Sequence, residues 1–220
     1  MSPKFVDREK KTRMIARAAL ELFAQRGFAA TGVDLIAVAA KVGKGTIYEY
    51  FDTKADIFVA AVLEWMKQLE GQFARELDKI DDPIDKLNAF AAMSMAMVDP
   101  IDPATARLSI DILQHTLLQD GALYHHRYLM KDVHTGMRQI LVNILLEGIS
   151  KGVFRPDIAR DTEKFAINLM GYLDGISLHY LMSENYFDIK EQITFSLENI
   201  IRMIRLVPDA SGRITPGEIL

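Results

Sequence analysis

The sequence predicts an all-α protein of about nine helices. Three observations carry this. Apolar residues recur at helical spacing through most of the chain. Helix-start signatures, two of them Asp-Pro pairs, precede the periodic segments. No run of alternating apolar and polar residues with hairpin turn chemistry interrupts them. There is no internal repeat and no low-complexity tract.

The first helix is expected to start near Asp7, a good N-cap. Ile15, Ala18, Ala19, Leu22 and Phe23 follow the i, i+3, i+4, i+7, i+8 pattern of one buried face. Gly27 is placed to stop it. Thr31-Gly32-Val33-Asp34 has the spacing of a capping box with Asp in the return position. Val33, Ile36, Ala37 and Ala40 then form a second, shorter face. Lys41-Val42-Gly43 interrupts it, and a third short helix is expected from about Lys44 to Tyr50, burying Ile47 and then Phe51. Thr53-Lys54-Ala55-Asp56 is another capping signature, opening a long helix through about Leu77.

Asp82-Pro83 and Asp102-Pro103 each set an N-cap acid before a proline at the first helical position. They predict helices over 83–98 and 103–118. A long helix should follow Gly121 and end near Lys151, with Gly152 as its stop. Asp161 is expected to cap the next helix, to about Met182, and the last should run from about Asp188 to Leu206. The tail from Pro208 is polar and expected to be loose. This organisation divides the chain into residues 1–52, a compact three-helix domain, residues 53–207, a larger helical bundle, and the tail 208–220.

Two short helices separated by a turn of three or four residues and braced by a longer helix are the plan of a helix-turn-helix. The helix starting at Lys44 would then be the recognition helix of the major groove. From about Arg13 to Phe58 the chain resembles the TetR/AcrR family of bacterial transcriptional regulators. The residues that carry this are Ile15, Ala19, Phe23, Gly27-Phe28, Thr31, Val33, Ile36-Ala37, Ala40, Lys44-Gly45-Thr46-Ile47-Tyr48, Tyr50-Phe51, Lys54 and Phe58. The string Lys-Gly-Thr-Ile-Tyr-x-Tyr-Phe-x-x-Lys is highly characteristic of the family. Beyond residue 60 the resemblance is architectural only.

The residue chemistry agrees with the resemblance. Lys44 can reach a base edge or a phosphate. Gly45 has no side chain to hold the backbone off DNA. Thr46 offers a hydroxyl and a methyl, suited to a phosphate or a thymine methyl. Tyr48 and Tyr50 can donate to phosphate oxygens, and Lys54 can add its cation at the start of the next helix. Thr31 and Gly32 stand at the start of the second helix, where a hydroxyl or a backbone N–H can meet phosphate. Tyr50 could equally pack the three-helix core. Glu49 could accept from a cytosine or hold a neighbouring cation. Three residues depart from the family pattern: Lys41 stands at the usual turn glycine, Gly43 at a usual serine cap, and Gly32 at a common Ser/Thr.

Other constellations are weaker. Gly43-Lys44-Gly45-Thr46 fails the spacing of a phosphate-binding loop and follows no strand. Asp111 and His115 lie one helical turn apart, with His125, His126 and His134 beyond, but no third ligand has a telling spacing. No metal, cofactor or catalytic set is expected. Trp65, Met66, Phe90, Met93, Met97, His115, Met137, Met170 and Tyr172 supply soft apolar bulk. They could line an adaptable small-molecule pocket or build an ordinary core. By resemblance, the last two helices make a dimer interface as a four-helix bundle. Phe165, Leu169, Leu197, Ile200, Ile201 and Ile204 are candidates there, with Gly171 and Gly175 permitting close approach.

The 220 residues carry a net charge of -4, are 50% hydrophobic and include no cysteine. Disulfides, thiol nucleophiles and cysteine-held metals are excluded. Met1-Ser2-Pro3-Lys4-Phe5 leads into charged residues without a signal-peptide pattern, and no apolar run reaches the roughly 18 residues of a membrane span. A cytoplasmic protein is expected. The acidic total hides a split. Residues 1–54 hold 10 Lys+Arg against 6 Asp+Glu, and residues 55–220 hold 16 against 24. A basic head on an acidic body suits DNA contact at one end. The resemblance thus implies a homodimeric regulator, most simply a repressor, that leaves a palindromic operator when a small apolar or amphipathic molecule binds. An activator fits equally well. An all-helical carrier or enzyme is the alternative, and it would need a convergent catalytic set that the sequence does not show.

Overall fold

The computed structural model describes residues 3–96, 103–183, 186–208 and 214–215. Nine α-helices lie among them: α1 (Pro3–Ala30), α2 (Val33–Ala39), α3 (Lys44–Tyr48), α4 (Lys54–Asp78), α5 (Pro83–Met95), α6 (Pro103–Leu117), α7 (Arg127–Ser150), α8 (Thr162–Met182) and α9 (Ile189–Ile204). Short 3-10 turns span Tyr124–His126 and Pro156–Arg160, so the helix expected after Gly121 starts only at Arg127. Part of the tail is not loose: Val207–Pro208 pairs antiparallel with Ile214–Thr215. Residues 97–102, which include the expected Asp102 cap and Met97, lie outside the described residues. No helix of the described residues is long and apolar enough to cross a membrane.

The chain forms two compact units. One comprises residues 1–71 and 99–133, the other residues 72–98 and 134–220. The chain passes between them three times, within α4, between residues 98 and 99, and within α7. This division does not follow the sequence-based cut after residue 52.

In the first unit, Ile15, Ala19 and Phe23 of α1, Ile36 and Ala37 of α2, Ile47 of α3 and Ile57, Phe58, Ala61 and Val62 of α4 are buried together. This is the face that the helical spacing marked. α1 begins at Pro3, ahead of the expected start at Asp7, and Gly27 breaks it with φ +82° and ψ 163°. Only glycine adopts that region without strain. The capping box at Thr31 does not form. Thr31 is fully buried, its hydroxyl donates to the Gly27 carbonyl at 2.8 Å, and Gly32 is the N-cap of α2 without a side-chain bond. The broken end of α1 leaves a carbonyl free, and Thr31 satisfies it. α3 ends two residues short of the expected Tyr50, with Glu49 as C-cap. The second box does form: Asp56 Oδ2 accepts from the Thr53 N–H at 2.9 Å, and Thr53 Oγ1 accepts from the Asp56 N–H at 3.1 Å.

In the second unit, Leu87, Phe90 and Ala91 of α5, Leu141 and Leu145 of α7, Leu169 and Leu173 of α8 and Ile193, Leu197, Ile201 and Ile204 of α9 make the core. Asp82 caps α5 as expected, and Asp188, expected only as the approximate start of the last helix, caps α9. Asp161 makes no cap bond to α8; its carboxylate takes the Lys164 ammonium instead. Gly152 does stop α7, at φ +68°. Four residues earlier, Gly148 admits the fully buried Phe154 ring, which a Cβ there would overlap. Across this unit Lys86 Nζ donates to Glu147 Oε2 at 2.6 Å.

Candidate nucleic-acid interface

α3 has only five residues, and its placement rests on Ile47, which is 0% exposed. The opposite side of the same helix turns Lys44, Gly45, Tyr48 and Glu49 to the surface, with Gly32 exposed at the start of α2. Nothing lies within 4 Å of a Cβ built on Gly45 or Gly32, so no packing inside the protein requires glycine there. The absent side chains leave backbone open to an outside partner. Tyr48 is 48% exposed and Thr46 partly buried.

The turn into α3 carries its own strain. Lys41 has φ +54°, the left-handed conformation that usually falls to glycine. The Lys41 N–H donates to the Val38 carbonyl and the Val42 N–H to the Ala37 carbonyl, the two bonds of a Schellman motif. The motif therefore forms without its usual glycine.

The electrostatics are local. Lys44 Nζ pairs with Asp34 at 2.8 Å, both side chains well exposed, and this hydrogen bond holds the Lys44 pKa above its ordinary value. Asp34 thus does not return to cap Thr31. The Glu49 carboxylate has no ion-pair partner among the described residues; its backbone carbonyl accepts from Arg8 Nη2 at 3.1 Å. The Arg8 guanidinium lies 5.0 Å from the Tyr50 ring centroid, which half-buries Tyr50 beneath a cation.

Two expected contact residues are committed inward. Thr31 has neither exposure nor a spare hydroxyl proton for phosphate. Lys54 Nζ donates to the Phe28 carbonyl at 2.9 Å and stands 4.3 Å from the Phe28 ring centroid. Its first task is to brace the end of α1. The sequence did not single out Arg8 or Arg107, nor show that Asp34 pairs with Lys44 and Asp111 with the Phe28 N–H, because these partners are distant in the chain or lie on a neighbouring helix.

A family model described as "Bacterial regulatory proteins, tetR family" matches residues 15–61, the segment that builds this surface. The transcriptional repressor KstR2 of Mycobacterium tuberculosis is 30% identical over 148 residues, covering 65% of this chain and 68% of that protein. This chain belongs to the tetR family. The transcriptional regulator TtgR of Pseudomonas putida is 26% identical over 200 residues, covering 88% of this chain and 91% of its own. The structure of FadR from Bacillus subtilis in complex with stearoyl-CoA matches with a TM-score of 0.61 at 24% identity, over 86% of this chain and 96% of that one. The protein is a DNA-binding transcriptional repressor of this family, and not an enzyme.

In this TetR-family chain the residues offered as an effector pocket are divided between the two units. Trp65 and Met66 pack partly buried on the core of the first unit. His115, also there, has its ring 4.4 Å from that of Phe28 and 5.2 Å from that of Phe58. Phe90 is 1% exposed in the core of the second unit, edge-on to Phe73. Met93, Met137, Met170 and Tyr172 pack partly against the same core. Tyr172 donates its hydroxyl to the Gln192 carbonyl at 3.0 Å. Among the described residues no group of His, Cys, Asp and Glu could hold a metal.

The interface candidates also divide. Leu169, Leu197, Ile201 and Ile204 are buried within the second unit, and Phe165 and Ile200 pack partly against them. Helical periodicity marked these as apolar faces, and the core of one chain consumes them. Gly171 and Gly175 are exposed, with nothing within 4 Å of a built Cβ. Beside them α8 exposes Ile167, Leu178 and Met182, and α9 exposes Phe195 and Met203.

Proposed function

We propose that the protein acts as a homodimer in the cytoplasm, each chain laying the outer side of α3 into one half-site of a palindromic operator. The observation that carries this is the exposed set Lys44, Gly45 and Tyr48 on a helix anchored by fully buried Ile47. Two-fold symmetry sets the recognition helices roughly 34–36 Å apart or a multiple of it. Lys44 would read a base edge or a phosphate, Gly45 would admit the backbone, and Thr46, Tyr48 and Tyr50 would bind phosphates. Gly32 would offer its backbone. A second copy is supported by the exposed apolar residues Ile167, Leu178 and Met182 on one face of α8, interleaved with Gly171 and Gly175.

A small amphipathic molecule releases the operator by binding the operator-free state more tightly; a ligand with equal affinity for both states would shift nothing. The Bacillus subtilis neighbour solved with stearoyl-CoA supports this ligand class.

The test is fluorescence polarisation with fragments scanned across the DNA upstream of the protein's own gene. A sequence-specific complex that weakens steeply with salt is expected. Its absence over the full scan overturns the operator reading. Light scattering of the purified protein should give twice the chain mass, and a monomer overturns the dimer.

A further inference from the structure

In the second unit, the facing sides of α5 and α9 enclose an open groove of about 630 Å³, within the range of small-molecule sites. None of the residues proposed from the sequence as an effector pocket lines it. Its floor is apolar, from Ile84 and Met95 on α5 and Ile193 and Ile201 on α9. The room comes from Ala91 and Ala92, where α5 offers only methyl groups to the longer side chains opposite.

The rim has a different chemistry. Lys190, Arg202 and Arg205 stand along it against a single carboxylate, Glu198, and all four are exposed. None of the three cations has a side-chain hydrogen bond or ion pair among the described residues. This reverses the local balance, because residues 55–220 are acidic overall, with 16 Lys+Arg against 24 Asp+Glu. Cations in the last turn of α9 also offset the helix dipole. That accounts for a positive charge there but not for an apolar cavity beside it.

We infer that this groove binds an amphipathic anion: an alkyl chain laid on the apolar floor, with a carboxylate-type head taken by Arg202 and Arg205. An arginine fork recognises a planar carboxylate through two parallel N–H donors, and two adjacent arginines exclude a cationic head. The chain supplies affinity by leaving water, and the head fixes its direction in the groove. The inference adds a site and a ligand charge to the ligand-responsive reading and rests on that reading only for the effect on DNA.

The experiment is isothermal titration of the full-length protein with dodecanoate, below its micellar concentration, against dodecyltrimethylammonium of the same chain length. Dodecanoate is expected to bind once per chain and the cation not at all. Arg202→Gln with Arg205→Gln should weaken dodecanoate about tenfold or more. Ala92→Trp, at an exposed position on the groove wall, should abolish binding while leaving the helical circular dichroism unchanged. Equal binding of the two amphiphiles, or dodecanoate affinity unaltered by Ala92→Trp, overturns the site. If Ala92→Trp instead changes the oligomeric state, the groove is a surface between two copies and the inference falls. Dodecanoate that binds in the groove yet leaves operator affinity unchanged upholds the site and counts against its regulatory role alone.

Discussion

The Asp111 carboxylate accepts the backbone N–H of Phe28 at 2.7 Å, one residue past the break in α1 at Gly27. The break is satisfied from several sides. Arg107 of α6 donates to the Gln25 carbonyl at 2.7 Å, Lys54 of α4 to the Phe28 carbonyl, and Thr31 to the Gly27 carbonyl. α6, with no part in the helix-turn-helix pattern, thus holds the end of the helix that frames it. Asp111→Ala leaves a part-buried N–H without its acceptor and should lower unfolding free energy by about 1–3 kcal/mol in urea titration. Asp111→Asn keeps an acceptor oxygen and should cost less. Equal losses would mean that the charge, and not the hydrogen bond, matters.

Lys41 pays a conformational penalty that glycine would avoid. Its φ of +54° closes the Schellman turn between α2 and α3. A left-handed non-glycine residue costs about 1–2 kcal/mol, and glycine's greater freedom in the unfolded chain returns part of it. Lys41→Gly should therefore stabilise the protein by up to about 1 kcal/mol. A measured loss of stability would show that the Lys41 side chain contributes something beyond this turn.

Asp34 competes for the Lys44 ammonium. The pair is solvent-exposed at 2.8 Å, so its removal should leave the thermal unfolding midpoint essentially unchanged. Asp34→Asn frees Lys44 and removes a negative charge, and it should tighten binding to specific and non-specific DNA alike. Lys44→Ala should weaken operator binding about tenfold or more with dimerisation intact. Polarisation titrations at two salt concentrations read both effects. Unchanged operator affinity in Lys44→Ala removes that residue from the interface.

His115 ties stability to pH. Its Nδ1 accepts the Ala122 N–H at 3.2 Å, which requires that nitrogen unprotonated. Burial against Phe28 and Phe58 lowers its pKa below the ordinary 6.5; Asp111 and Asp120 oppose this and Lys54 assists it. The fold thus favours the neutral ring. This contribution is complete above pH 6.5 and is lost as the pH falls through the lower folded value. Urea titrations at pH 7.5 and pH 5 should show a loss in the parent that is smaller in His115→Gln. An identical loss in both assigns the acid sensitivity to other groups.

The sequence by itself determined the helical class, the positions of most helices and the helix-turn-helix segment. These depend on neighbours within one or two helical turns: the spacing of Ile15, Ala19 and Phe23, the Thr53–Asp56 box, and the Asp82 cap. It also marked Ile47 as the anchor of α3, since a short helix has one face to bury. Only the tertiary structure decided which partner each polar group takes. Thr31 looked like a cap, but the break at Gly27 presented it with a nearer carbonyl. Lys54 looked like a phosphate ligand, yet Phe28 lies 26 residues back and against its ammonium. Leu197 and Ile201 have the same apolar periodicity whether they face their own core or a second copy, because periodicity records burial and not the identity of the covering surface. The α5–α9 groove was illegible for the same reason: two alanines count as ordinary helix formers until a facing helix turns their small size into a cavity.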